Sequence, residues 1–388
     1  MSPPAPVNHS GPKRLLSLDG GGIRGLIEAE VLIEIETQLK ELTGEDRPLC
    51  ERFDLIGGTS TGAILAAALA LGLRAAKLRD FYLELGEQVF KPEFFITRFW
   101  HKYPSKPLEQ ALKRVLGGDT TLGDPRLHTL LLIVSKNVTQ GSTWFFINNR
   151  QGKYFSQNQG LPLWQIVRAS TAAPTYFPPQ TIKVPDGQAK SHAYEFIDGG
   201  VSTYNNPSLQ LFLEATEPAY GIGWPTGSET LLLISLGTGF SEDKIEEGKA
   251  SGYNALNWAQ YAIEELMGDA NLQQNVLMHL IGEHPAAAPS ASMAATGMAM
   301  AGGAAASAVG RMSARLGGNR LLTYQRITVG LTRQRLDQLG LSDVDPGKVS
   351  KLDCVDQMDN LQKIGRAIAK EQVNMRALGK FFPVEGRQ

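Results

Sequence analysis

Cysteine is scarce in this chain. Cys50 and Cys354 are the only two in 388 residues, too few for a disulfide framework or a structural zinc site, so a reducing compartment is the default expectation. No excess of either charge is present: 38 basic residues face 39 acidic ones, and nothing in that balance points to a nucleic acid polymer as partner. The stretch from Met1 to Pro12 carries prolines but no apolar core of the length a signal peptide needs, and reads as a disordered lead-in. Histidine is thin too, with His9, His101, His128, His192, His279 and His284 as the whole set, which narrows any mechanism built on an imidazole base. There is no repeat of fixed period.

What the chain does have is glycine at three informative places. Gly58-Thr59-Ser60-Thr61-Gly62 follows a strand-like run, Phe53 to Ile56, and precedes a helical run from Ala63 to Leu69. Strand, sharp turn and helix form the setting of a G-x-S-x-G nucleophile elbow, in which small neighbours let the backbone bend and leave the serine hydroxyl exposed. A plain helix start, capped by Thr59 or Ser60, fits the same residues. Upstream, the strand-like Arg14 to Leu18 runs into Asp19-Gly20-Gly21-Gly22-Ile23-Arg24-Gly25, and a helical pattern opens at Leu26. Consecutive glycines before a helix make an anion cradle, for a pyrophosphate or for the oxyanion of an acyl-transfer intermediate. A dinucleotide site has no use for a nucleophile elbow, whereas an acyl hydrolase needs both parts. The third place is Asp198-Gly199-Gly200, where the apolar run Tyr194 to Ile197 ends on a carboxylate; an Asx-turn is the bland alternative.

With Ala169 to Pro178, Asn205-Asn206-Pro207 and Ile234 to Gly239 added in this order, the chain resembles the patatin-like phospholipases, well over roughly residues 13 to 240 and more loosely over Leu321 to Leu341. The resemblance implies a serine lipid acyl hydrolase acting on membrane glycerophospholipids without a metal or other cofactor. It makes Ser60 the nucleophile, Asp198 its base and the N–H groups of Gly20, Gly21 and Gly22 the oxyanion hole, with Asp19, Arg24, Gly25, Gly58, Gly62, Gly199 and Gly200 supporting the motifs. Ala63 departs from the pattern, since many members carry a second glycine there. A carboxylate in direct reach of a serine can accept its proton if burial raises its pKa. In the Ser, Asp, His order of a triad only His279 and His284 would qualify, and His279 sits in a helical pattern where packing or capping is the simpler role. The family includes antiphage effectors that attack the bacterial inner membrane when a cyclic nucleotide binds them, which would make this a switched enzyme, cytoplasmic and peripheral to that membrane. It also includes storage proteins, so a non-catalytic storage or lipid-binding role is the alternative.

The apolar runs Thr129 to Val134, Thr143 to Ile147, Thr230 to Ser235 and Leu321 to Val329 alternate with helical patterns such as Leu32, Ile35, Leu39 and Leu42. Such strands belong in a sheet covered on both faces, hence a three-layer α/β/α fold with a mostly parallel central sheet, its glycine loops at strand carboxyl ends. The expected organisation is a lead-in over 1–12, an acyl hydrolase domain over 13–344 with an Ala/Gly/Met-rich insertion at about 285–319, and a C-terminal helical extension over 345–388. From Pro285 to Gly310 no residue is charged. A linker or lid suits that composition best, with Met293, Met298 and Met300 offering an interfacial or partner contact and a membrane span as a further alternative. Phe90 to Lys106 mixes Phe90, Phe94, Phe95, Phe99, Trp100 and Tyr103 with Lys91, Arg98, Lys102 and Lys106, as a membrane surface contact would; aromatics capping the core are the alternative. The C-terminal pattern Val355, Met358, Leu361, Ile364 and Ile368 reads as a closing helix, with a regulatory or homo-oligomer contact as the other use.

Overall fold

A computed structural model describes residues 11–89, 101–186, 190–241, 245, 248–285 and 319–383. The strands are β1 (Lys13–Leu18), β2 (Leu55–Thr59), β3 (Leu130–Asn137), β4 (Ser142–Ile147), β5 (Gln180–Pro185), β6 (Ser191–Asp198), β7 (Leu231–Leu236), β8 (Gly282–Glu283) and β9 (Leu322–Ile327). The helices are α1 (Gly25–Thr43), α2 (Thr61–Ala70), α3 (Ala75–Val89), α4 (Ser105–Leu116), α5 (Phe155–Asn158), α6 (Leu163–Ser170), α7 (Ser208–Thr216), α8 (Ala255–Ile281), α9 (Arg333–Gln338), α10 (Pro346–Val349) and α11 (Met358–Gln372). They build one mixed sheet in the order β5-β6-β3-β2-β1-β7-β9-β8, with β4 on β3. The run from β3 to β8 is parallel, while β4, β5 and β6 join antiparallel.

The continuous apolar strands are explained by what covers the two faces. Side chains alternate across a strand, so Leu16, Leu18, Ile56, Leu131, Ile133, Leu232 and Ile234 enter one core with residues of α1, α2, α3, α4, α6 and α11. Leu15, Leu55, Leu132, Val134, Leu231 and Leu233 enter a second core with α7 and Met278 of α8. The result is the three-layer α/β/α arrangement. Helix α1 buries Leu32, Ile35 and Leu39 and stops at Gly44, which is left-handed at φ 74°. Leu361, Ile364 and Ile368 of α11 belong to the same core as α1, so the closing helix shares the main hydrophobic interior.

One boundary differs from the sequence expectation in a way that matters to the site. The second strand was expected over Phe53 to Ile56, yet it runs on through Gly57 and Gly58, which pair with Ser17 and Leu18 on one side and Leu132 and Ile133 on the other. The β6 strand runs antiparallel to β3, with Asp198 opposite Ser135. Of the Phe90 to Lys106 segment, residues 90–100 lie outside the described residues, while Tyr103 is buried in the main core and donates its hydroxyl to Asp353; the Ala/Gly/Met-rich run from Ala286 through Met293, Met298 and Met300 to Gly310 also lies outside the described residues. No helix among the described residues is long and apolar enough to cross a membrane.

Candidate active site

The meeting of Ser60 and Asp198 follows from strand register. A strand has two edges. On β3, β2 pairs with 130–134 and β4 with 132–137, so the overlap puts β2 and β4 on opposite edges. The β6 strand pairs with 135–137, which again overlaps β4 and places β6 on the β2 edge. Strands β2 and β6 therefore point at each other along one edge, the first ending at Thr59 opposite Val134 and the second at Asp198 opposite Ser135. The residue after β2 is Ser60, and its Oγ donates to Asp198 Oδ2 at 2.6 Å.

Local backbone holds both side chains. Ser60 takes φ 55°, ψ −119°, a region sparsely used by residues other than glycine and costing about 1–3 kcal/mol. Its N–H donates to Ser170 Oγ at 2.8 Å, and that hydroxyl donates to Val134 O at 2.6 Å. The turn is tight enough to exclude side chains: a Cβ on Gly58 would stand 2.1 Å from Gly62 O, and one on Gly62 would stand 2.2 Å from Leu18 O. Beyond Asp198, Gly199 leaves no room beside Val134 O, where a Cβ would lie at 2.5 Å, and Gly200 N–H donates to Asp198 Oδ1 at 2.7 Å. Asp198 is buried, and desolvation raises its carboxyl to about 6 despite the hydrogen bonds from Ser60 and Gly200 and the nearby Arg168 guanidinium. Ser60 and a carboxylate poised in this range form a proton donor and acceptor pair.

The glycine loop is oriented by its carbonyls. Gly20 O accepts from Thr238 Oγ1 at 2.9 Å and Gly21 O from Arg24 N–H at 3.2 Å. In a planar trans peptide the next N–H points the opposite way, so Gly21 and Gly22 turn theirs away from those partners, and both residues line a pocket with Ser60, Thr61 and Asp198. No acceptor among the described residues takes either N–H. Gly20 differs. Its N–H donates to Asn205 O at 3.1 Å, so of the three glycines Gly21 and Gly22 are the two whose N–H meets no acceptor among the described residues. Thr61, the residue after the serine, lines the same pocket and is the position from which an elbow supplies its own oxyanion donor. Gly22 needs its φ of 60°, and a Cβ there would also strike Leu352 O at 2.1 Å.

Behind the loop lies a charge cluster. Asp19 is gripped by both terminal nitrogens of Arg326 from β9, and its N–H donates to Glu28 Oε1 at 2.8 Å. Burial, with Asp19 beside it, holds the Glu28 carboxyl well above its ordinary value, which favours its protonated form. Arg24 donates to Ser350 O at 2.9 Å and Ile23 N–H to Leu352 O at 2.9 Å, tying the glycine loop to the segment before α11. Gly25 packs against the Thr61 side chain. Arg326, Glu28 and Ser170 are the supporting residues that sequence reasoning missed as such. Ser170 lay within the quoted Ala169 to Pro178 block, while Arg326 and Glu28 carried no local signal beyond a strand and a helix.

The pocket is walled by apolar groups including Ile64, Leu85, Val89, Phe177, Ile263 and Met267. No histidine is among its described lining residues. His279 Nδ1 instead meets His284 Nε2 at 2.7 Å, and His284 Nδ1 sits 3.1 Å from Tyr324 O. Burial lowers His279 to about 3, as expected of a packed neutral ring.

An α/β/α sheet carrying a serine at an elbow, a carboxylate in contact with it and an apolar pocket beside them defines a hydrolase-like site, and comparison with known proteins agrees. The family described as "Patatin-like phospholipase" matches residues 16–212. Patatin-like protein 2 of Arabidopsis thaliana is 34% identical over 288 residues, covering 66% of this chain and 68% of that protein. Patatin-17 of Solanum cardiophyllum is 32% identical over 263 residues, covering 63% of this chain and 66% of that one. This chain thus spans about two thirds of the length of these relatives. Among solved structures, VipD from Legionella pneumophila aligns over 91% of this chain and 67% of its own at 14% identity and a TM-score of 0.37. The chain belongs to the patatin-like phospholipase family and is a hydrolase of that class.

Proposed function

We propose that this chain hydrolyses acyl esters of membrane glycerophospholipids through a Ser60–Asp198 dyad, working peripherally at a membrane surface. The observation that carries the reading is the 2.6 Å bond from Ser60 Oγ to Asp198 Oδ2 at the wall of an apolar pocket that also holds the Gly21 and Gly22 loop. As Ser60 Oγ attacks the ester carbonyl carbon, Asp198 takes its proton and then gives it to the leaving alkoxide. The N–H groups of Gly21, Gly22 and Thr61 take the charge that develops on the carbonyl oxygen, a contribution that preorganised donors make without rearrangement. The apolar walls suit the acyl chain. Helix α8 faces the pocket with Ile263 and Met267 while Trp258 and Leu266 are 42% and 62% exposed, a combination that suits a helix lying against lipid.

A fluorophosphonate probe tests the reading. It labels the protein and not Ser60→Ala, and that substitution lowers ester turnover by roughly three orders of magnitude or more with the fold intact; turnover near wild type in Ser60→Ala removes the serine mechanism. The switch by a cyclic nucleotide rests on the family resemblance alone, and labelling with and without cyclic oligonucleotides tests it. A storage role has no use for a buried, paired Ser60 and Asp198.

A further inference from the structure

We propose that Asn205 positions the water that deacylates Ser60, and that this water reaches the site through a polar chamber beside the acyl pocket. The inference rests on the acyl transfer proposed above. Asn205 is 1% exposed. Its amide orientation is set by Gly20 O, which can only accept: the NH2 group faces that carbonyl at 3.4 Å and Asn271 Oδ1 at 3.2 Å. The amide oxygen is thereby turned the other way, where no donor among the described residues reaches it. A buried acceptor left without a donor is unfavourable unless something else, such as a water, donates to it.

This oxygen lies in the same neighbourhood as both reacting side chains, near enough for a water between them. A carbon built on Gly200 would lie 2.8 Å from Asn205 Oδ1 and 3.1 Å from Asp198 Oδ1; one built on Gly20 would lie 2.2 Å from Asn205 Oδ1 and 3.2 Å from Ser60 Cβ. Asn205 also opens on a second cavity, whose lining includes Asn271, Asn275, Arg326 and Thr328. Arg326 Nε is a second buried polar atom there without a partner among the described residues. Met267 and Leu352 border both this chamber and the acyl pocket.

The two chambers divide the chemistry by polarity. In the acyl-enzyme the chain occupies the apolar pocket, and a polar cavity with unpaired hydrogen-bonding groups is where water is stable. The water donates one proton to the Asp198 carboxylate as its oxygen bonds to the acyl carbonyl carbon. Asn205 Oδ1 accepts its other O–H and so aims the lone pair. The tetrahedral oxyanion collapses, the carbonyl carbon to Ser60 Oγ bond breaks, and Asp198 returns the proton to Oγ as the carboxylic acid leaves.

The test is a pre-steady-state assay with a short-chain p-nitrophenyl ester and intact-mass detection of the acyl-enzyme. In Asn205→Ala, p-nitrophenol release in the first turnover continues, steady-state turnover falls on the order of tenfold to a hundredfold, and an acyl adduct accumulates on the protein above the wild-type level. Added hydroxylamine, a stronger nucleophile, then raises turnover more in the variant than in wild type. Asn271→Ala, which only releases the Asn205 NH2 group, shows the same accumulation in weaker form and serves if Asn205→Ala does not fold. Absence of adduct accumulation in folded variants whose Ser60 still takes the fluorophosphonate overturns the assignment of Asn205. A wild-type protein that neither takes the probe nor turns over ester overturns the acyl-transfer reading beneath it.

Discussion

Asp198→Asn should abolish turnover and stabilise the fold at neutral pH. The magnitude follows from burial: a carboxyl raised from 3.8 to about 6 makes its ionised form about 3 kcal/mol less favourable in the folded protein than in the unfolded chain. Because the folded state binds the proton more tightly, the wild type is most stable below the unfolded value, loses stability as pH rises from about 4 to about 6, and is level above that. Asparagine fits the same space, with its oxygen toward Gly200 N–H and its NH2 group toward Ser60 Oγ, and does not ionise. The variant should therefore match the wild type near pH 4 and melt about 4 °C higher at pH 7.5, for a chain of this size. Thermal denaturation followed by circular dichroism across that range measures the difference. A variant less stable at every pH, or a difference that does not change with pH, would refute the claim that Asp198 is kept poised at the cost of stability.

The same pKa sets the rate: kcat/KM for a soluble ester should be half-maximal near pH 6 and fall about tenfold per pH unit below it, and a flat profile through that region would remove Asp198 as the base. Asp19→Asn strips the buried Arg326 of its paired carboxylate and should cost about 3 kcal/mol or more in urea unfolding, whereas Glu28→Gln, replacing a carboxyl already biased toward its neutral form, should cost under about 1 kcal/mol; equal losses would mean that both carboxylates are ionised. Replacing Trp258 and Leu266 together with serine should lower hydrolysis of phospholipid vesicles severalfold and leave a soluble short-chain ester near wild type, and an equal fall on both substrates would place these side chains in the fold and not at a lipid surface. Phe95, Phe99 and Trp100 replaced by serine, the membrane contact expected from sequence, provide the comparison in the same assay.

The parts of the site legible in the sequence were those with local signatures. The elbow around Ser60 shows because strand, small residues and helix follow one another directly in sequence, with Gly58 demanded locally by Gly62, although Gly62 itself is demanded by the distant Leu18 O. The glycine loop shows because its donors lie on adjacent peptides. Asp198 shows only as a carboxylate at the end of an apolar run, and its strand direction was beyond reach: nothing in Tyr194 to Ile197 says that β6 enters antiparallel on an edge of β3 that β2 already uses. Arg326 is less visible still. It sits on a strand whose pattern reads as ordinary, and its role comes from Asp19, far away in sequence. The use of Gly20 N–H by Asn205 O is likewise a nonlocal pairing, so three adjacent glycines read alike in sequence while two of them have an N–H that meets no acceptor among the described residues.

That head-on arrangement bears on why a dyad is workable at all. In a triad the imidazole spans the gap between hydroxyl and carboxylate and can tilt to absorb small errors in either. A direct hydroxyl to carboxylate bond of 2.6 Å has no such spacer, and hydrogen bonds weaken steeply once distance or angle drifts. Mounting Asp198 on a mobile loop would leave that contact to chance. Here both partners sit at the ends of strands registered against neighbouring residues of a single strand, Thr59 opposite Val134 and Asp198 opposite Ser135; Ser170 bridges Ser60 N–H to Val134 O, and Asp198 N–H donates to Ala172 O. Sliding the two backbones relative to each other would have to break pairing along β3, inside the sheet. Rigidity of that kind also keeps a buried carboxylate where its burial raises the pKa, so the strand register that sets the 2.6 Å contact also places Asp198 where burial tunes it as a base.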